Sequence, residues 1–125
     1  MKDFKKYYIV AATPNDVYQA LTFAPTIQLW TGEKAEMSKE PDSEFSLWGG
    51  SISGRNLEFV EGKKIVQHWY FGEQPNDSIV TLVLHAHDQG TSVELRHTNI
   101  PDEAYDDIVE GWNESYFASL QEFYE

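Results

Sequence analysis

The sequence contains no cysteine, only two arginines and two methionines, and no apolar run of membrane-spanning length. Without cysteine there is no disulfide framework, no thiolate nucleophile and no thiolate metal ligand. Basic residues are also scarce: 9 Lys and Arg stand against 21 Asp and Glu, for a formal net charge of −12. That balance excludes nucleic acid and an anionic membrane as expected partners. The charged start, Met1 to Lys6, runs straight into a strand pattern and not into the apolar core of a signal peptide, so a cytoplasmic location is expected by elimination. The acceptor patterns Asn76-Asp77-Ser78 and Asn113-Glu114-Ser115 are then chance matches.

What is abundant is aromatic. Among 125 residues are seven Tyr, seven Phe and four Trp, enough for the core of one domain but not of two. The chain is organised around its end, where Tyr105, Ile108, Val109, Trp112, Tyr116, Leu120 and Phe123 recur at three- and four-residue spacing. This predicts an amphipathic helix over 102–124. Pro101 suits the first helical position, and Asp102, Glu103, Asp106 and Asp107 place negative charge at the positive end of the helix dipole. Gly111 costs about 1 kcal/mol against Ala in such a helix; it is read as tolerated in preference to serving a close approach to the sheet.

Upstream, Phe4 to Ala12 reads as a strand, Thr13-Pro14 opens a helix carrying Val17, Tyr18, Ala20 and Leu21, and Thr26 to Trp30 forms a second short helix ending before Gly32. Six strand-like runs follow: 34–39, 44–48, 51–60, 63–71, 79–87 and 91–99. Pro-, Gly- and Asn/Asp-rich turns separate them, and such short links favour antiparallel neighbours. With a turn at Gln89-Gly90, Val80, Leu82, Leu84 and Ala86 share one face with Val93, Leu95 and His97 and meet the helix. Thr81, Val83, His85 and His87 share the other face with Ser92, Glu94 and Arg96. The expected class is α+β, with a sheet of six to seven strands gripping the last helix.

A series of motifs carries a resemblance. Trp48-Gly49-Gly50-Ser51-Ile52-Ser53-Gly54, Lys64-Ile65-Val66-Gln67-His68-Trp69, Ile79-Val80-Thr81-Leu82, Ile100-Pro101-Asp102-Glu103 and Glu110-Gly111-Trp112 before Tyr116-Phe117 appear in order. Together they resemble the C-terminal domain of the Hsp90 ATPase activator, a member of the START-like, Bet v 1-like helix-grip superfamily. The resemblance implies a curved antiparallel sheet wrapped around the C-terminal helix, often with a cavity between them. Many members of the superfamily bind apolar small molecules there, and a few are cyclases or hydrolases. The eukaryotic activator carries a separate N-terminal domain for engaging Hsp90, whereas this sequence starts at the first helix-grip strand, so the family name is not taken as the function.

The candidate site is aromatic. Trp30, Trp69, Tyr105, Trp112 and Tyr116, with His97 at the end of a core-facing strand, are assigned to an apolar cavity, while a filled core stays equally open. His97 is read either as a ligand-orienting group or general base, or, by preference, as a buried histidine bonded to the helix. His85 and His87, two apart beside Glu94 and Asp88, offer a metal pair but lie on the solvent face, so a solvated strand is the favoured reading. Gly49-Gly50 and Gly54 precede a strand, not a helix, and read as a bulge or bend instead of a phosphate loop. Ser, His and acidic residues are all present, but nothing places them as a triad, and no Gly-x-Ser-x-Gly nucleophile elbow occurs. No cofactor and no metal are expected. The expected function is non-catalytic binding of an apolar or amphipathic ligand. The alternatives are a cofactor-free cyclase or hydrolase using His97, and a stand-alone Hsp90-type co-chaperone.

Overall fold

The computed structural model describes residues 1–125. Strand β1 (Lys2–Val10) leads into α1 (Pro14–Thr22) and α2 (Ala24–Thr31). Thr13 caps α1, its hydroxyl accepting from the Asp16 N–H at 3.2 Å, with Pro14 at the first helical position where no N–H is needed. Gly32 closes α2 in the left-handed region, φ 73°, as expected for a glycine just past a helix end. Five strands follow: β2 (Glu44–Leu47), β3 (Ile52–Val60), β4 (Lys64–Trp69), β5 (Ser78–His87) and β6 (Gly90–Ile100). All pair antiparallel in the order β1-β6-β5-β4-β3-β2, and the chain closes in a C-terminal helix. This is the α+β helix-grip arrangement anticipated from the sequence.

The β5–β6 hairpin pairs Val80 with His97, Leu82 with Leu95 and Leu84 with Val93, and all six of these side chains are buried on the core face. The turn residues are Asp88-Gln89, since His87 pairs with Gly90, and not Gln89-Gly90. The assigned faces survive because the two registers differ by an even number of residues, and side-chain direction alternates with period two.

Two expectations need correction. The run 34–39 forms only an isolated bridge, Glu36 to Ser46. Its composition is polar and only Ala35 is buried, so it has too little apolar surface to hold a seventh strand. The C-terminal helix is also not uniform. After a 3₁₀ turn at Asp102–Ala104 it runs as α3 (Tyr105–Glu110), a π-helical segment (Gly111–Tyr116) and α4 (Phe117–Phe123). In the π segment the Phe117 N–H reaches back to the Trp112 carbonyl, five residues earlier.

That wider turn rotates the rest of the helix by about one position, which the even periodicity of the sequence could not show. The buried stripe is therefore Trp112, Tyr116, Phe117 and Leu120, while Phe123, expected inside, is 40% exposed. Phe117 is fully buried and stacks on Tyr8 of β1, with centroids 3.9 Å apart and planes at 7°. The Tyr8 hydroxyl and Lys6 Nζ both donate to Asn113 Oδ1, at 2.6 and 2.9 Å. Gln121 Nε2 donates to the Ile9 carbonyl at 2.9 Å, so side chains of the helix cover part of this edge strand. Burial pushes the Tyr8 hydroxyl up to about 12, so it stays a donor at neutral pH.

The rotated register predicts a contrast that a regular helix would reverse. Phe117→Ala should cost about 3–5 kcal/mol in urea unfolding, whereas Phe123→Ala should fall within about 0.5 kcal/mol of the parent.

Candidate functional site

The centre of the interface between helix and sheet is polar. His97 is fully buried on β6. The Trp112 indole N–H donates to its Nδ1 at 3.0 Å, and Ser78 Oγ of β5 lies 2.8 Å from its Nε2. An indole nitrogen can only donate, so Nδ1 must accept and the ring proton sits on Nε2. Nε2–H then donates to Ser78 Oγ, and the Ser78 hydroxyl passes its own hydrogen to the Thr98 carbonyl at 3.1 Å. Every member of this chain is satisfied, as a buried polar network must be.

Desolvation drives the His97 pKa from 6.5 down to about 3. The ring is therefore neutral near pH 7, with both nitrogens engaged.

Above this floor lies a pocket of about 300 Å³ between the helix and the β2–β3 corner. Trp69, Trp112 and Tyr116 are its buried base. Trp48, Ile52 and Ile108 form half-buried walls, and Ser51, Asp107 and Ser115 sit exposed at the rim. Gly111 completes the opening, and a Cβ added there would meet no atom within 4 Å. The glycine serves no close approach to the sheet, consistent with the tolerated reading. Its missing side chain also leaves the mouth of the pocket open.

The rings form one connected set. Trp69 stacks on Trp112 with centroids 4.7 Å apart, Trp112 meets Tyr116 at 4.6 Å, and Tyr116 meets Trp30 at 5.2 Å. The Trp69 N–H donates to Gln67 Oε1 at 3.0 Å. Gln67 Nε2 donates to Asn56 Oδ1 at 3.1 Å, and the Asn56 amide in turn reaches the Ser38 carbonyl and the Ser43 hydroxyl. The pocket wall is thus tied to the 38–43 loop through a second buried polar chain. Trp48 has a positive φ of 51°, unusual for a bulky residue, and sits in a 3₁₀ turn with Gly49 and Gly50. Its ring is held edge-on to Trp30 at 5.6 Å and 85°.

Of the residues singled out from the sequence, Trp69, Trp112 and Tyr116 line this pocket. His97 lies beneath its base, 5.2 Å from Trp69 between ring centroids. Trp30 stands behind Tyr116, its N–H donating to the Ala20 carbonyl at 2.7 Å. Tyr105 is not among the lining residues; its ring lies under Lys2 Nζ at 4.9 Å. Sequence reasoning missed Ser51, Ile52, Ile108, Trp48, Asp107, Gly111 and Ser115. The last three repeat at four-residue spacing along one flank of the Ile108, Trp112, Tyr116 stripe, and that was the available signal.

Elsewhere, His85 Nε2 lies 3.0 Å from Glu94 Oε1 and Arg96 Nε donates to Glu94 Oε2 at 2.8 Å. The hydrogen bond with His85, aided by Arg96, holds the Glu94 carboxyl below its usual range. His87 Nδ1 accepts from the Gln89 N–H within its own turn. His68 points away from the core toward Asp77, 3.6 Å away. Gly54 makes a close approach, because a Cβ there would fall 2.1 Å from the His68 carbonyl. A second concavity of about 770 Å³ follows His68 to Gln74 and Asp77. It is a more open groove of mixed character built from one stretch of chain, a poorer container than the aromatic pocket.

The model of the family described as Activator of Hsp90 ATPase homolog 1-like protein matches residues 11–125. The chain belongs to this family. It is 31% identical over 103 residues to an activator of 90 kDa heat shock protein ATPase homolog from Dictyostelium discoideum, covering 80% of this chain and 27% of that protein. The chain spans about a fifth to a third of the length of the curated relatives it matches. Among solved structures, an HSP90 activator from Plasmodium falciparum superposes with a TM-score of 0.87 at 25% identity, covering 97% of this chain and 94% of that one. The Aha1 dimer from Colwellia psychrerythraea gives 0.82 at 18% identity over 100% and 97% of the two chains, a likeness of fold. No helix of this family member is long and apolar enough to cross a membrane.

The His97 environment predicts an acid-sensitive fold. The folded pKa of about 3 lies below the ordinary 6.5, so only the unfolded chain takes up this proton between those values. The contribution is complete above pH 6.5 and is lost as pH falls toward 3. Unfolding free energy should drop by about 2 kcal/mol between pH 6.5 and 5. Urea titrations at the two pH values check this, and a flat profile would contradict it.

Proposed function

We propose that this protein is a non-catalytic binding protein that holds a small apolar or amphipathic molecule between its C-terminal helix and the β2–β3 corner. One observation carries the reading: the pocket of about 300 Å³ is walled by Trp48, Trp69, Trp112 and Tyr116 and opens beside Gly111. Its size falls at the lower end for small-molecule sites, and its base is apolar with polar groups at the rim. A cyclase or hydrolase using His97 finds less support, because a general base needs a free lone pair within reach of substrate. Here Nδ1 is taken by Trp112 and the ring lies under the pocket base.

A second reading, a co-chaperone of an Hsp90-type ATPase, is favoured by the likeness to the Plasmodium falciparum HSP90 activator over nearly the whole of both chains. It uses outer surface and needs no cavity.

Gly111→Leu separates the two. Leucine is a better helix former than glycine and its side chain enters open space, so the variant should keep the parent's circular dichroism and lose no stability. Titration with neutral 4-phenylbutanol, followed by tryptophan fluorescence, should show binding to the parent and at least tenfold weaker binding to the variant. Equal binding by a folded variant would remove the pocket from the account. Hsp90 binding unchanged in the variant would be the mark of the co-chaperone reading.

A further inference from the structure

The pocket lining contains no lysine, arginine or histidine, and its charged member is the carboxylate of Asp107 at the rim. No Lys or Arg follows Arg96 in the sequence, so the whole helix that forms one wall is acidic or neutral. Burial pushes the Tyr116 hydroxyl well above the usual tyrosine range, so the base carries no charge. The indole N–H groups of Trp69 and Trp112 are both engaged inside the protein, with Gln67 and His97. Trp69 and Trp112 turn one face on each other, and what the remaining faces and the Trp48 ring on the wall can offer a guest is π-electron surface, which attracts cations.

The rest of the chain shows how such rings are used when a cation is near. Four tyrosines have a lysine ammonium over the ring: Lys2 over Tyr105, Lys5 over Tyr7, Lys6 over Tyr8 and Lys39 over Tyr18, at 4.9 to 5.6 Å. None of these rings lines the pocket. The pocket's three tryptophans, the ring type that binds cations best, have no cationic side chain of their own. The nearby Lys34, whose carbonyl accepts from Gly49 N–H behind the Trp48 turn, directs its ammonium toward Glu36, 4.0 Å away.

We infer that the ligand is an amphipathic cation, an amine or quaternary ammonium on an apolar body, with its charge at the rim between the Trp48 ring and Asp107. This rests on the binding-protein reading and names the chemistry of the guest. The apolar body would occupy the base formed by Trp69, Trp112 and Tyr116. The charged end would lie toward the rim, where the carboxylate remains accessible to water.

Three probes of one shape test it: 4-phenylbutylammonium, 4-phenylbutanol and 4-phenylbutyrate, titrated calorimetrically into the protein in 0.15 M NaCl. The cation should bind at least tenfold more tightly than the alcohol, and the carboxylate more weakly than either. Asp107→Asn should remove most of that tenfold preference. Asp106→Asn, which changes net charge equally but lies outside the lining, should preserve it. Gly111→Leu should weaken the cation as it weakens the alcohol. Equal affinity for cation and alcohol would overturn the inference while leaving the pocket as a binding site. A cation preference reduced equally by both Asn variants would assign the effect to the net charge of −12 and also overturn it. Failure of all three probes to bind would remove the binding-protein reading together with the inference.

Discussion

The structure depends on one chain of hydrogen bonds, from the Trp112 indole through His97 to Ser78. It crosses from the C-terminal helix to two adjacent strands in the middle of the core, at residues that are 2% exposed or less. Each link is between neutral groups in a low-dielectric setting, where a satisfied bond is strong and an unsatisfied one is expensive. Apolar contacts alone would allow the helix to slide or rotate on the sheet at modest cost. The indole-to-imidazole bond allows only one axial position. That position, with the π segment beginning at Gly111, sets where Tyr116 and Phe117 land.

Phe117 then stacks on Tyr8 at the sheet's edge, and Tyr116 turns toward Trp30. The pocket is the consequence. Trp112 is drawn down toward His97 and Gly111 supplies no side chain, so space remains between the helix and the Trp48 turn. A π segment placed at such an opening fits the general tendency of these segments to occur at functional sites. The second polar chain, from Trp69 through Gln67 to Asn56, secures the opposite wall by the same physical means. Both walls are therefore set by directional bonds.

Much of the fold was legible because its signals are local. Alternation in 79–87 and 91–99 placed His97 on the core face, and the Thr13-Pro14 pair gave the start of α1. The signals that failed were those that depend on partners. The run 34–39 alternates as a strand would, with Ala35 and Met37 on one side, but carries too little apolar surface to pair, and the rotation at Gly111–Tyr116 arises from packing that spacing does not encode. In the site, Trp69, Trp112 and Tyr116 were recoverable as large residues on core faces. Trp48 was harder, because its place depends on a positive φ at a turn followed by two glycines. Asp107 looked like an ordinary dipole-complementing residue at a helix start, and only the assembled pocket shows its second position at the rim.

The helix is fastened to the sheet through the protonation and partners of one ring, so the most direct measurement is a long-range ¹H–¹⁵N spectrum of the His97 imidazole, recorded from pH 7 to 5. The prediction is a single neutral tautomer with the proton on Nε2, unchanged across that range, and a Trp112 indole proton protected from solvent exchange. A proton on Nδ1, or titration of His97 between pH 7 and 5, would mean that the helix is not fastened to the sheet through this ring, and the explanation of the pocket would fall with it.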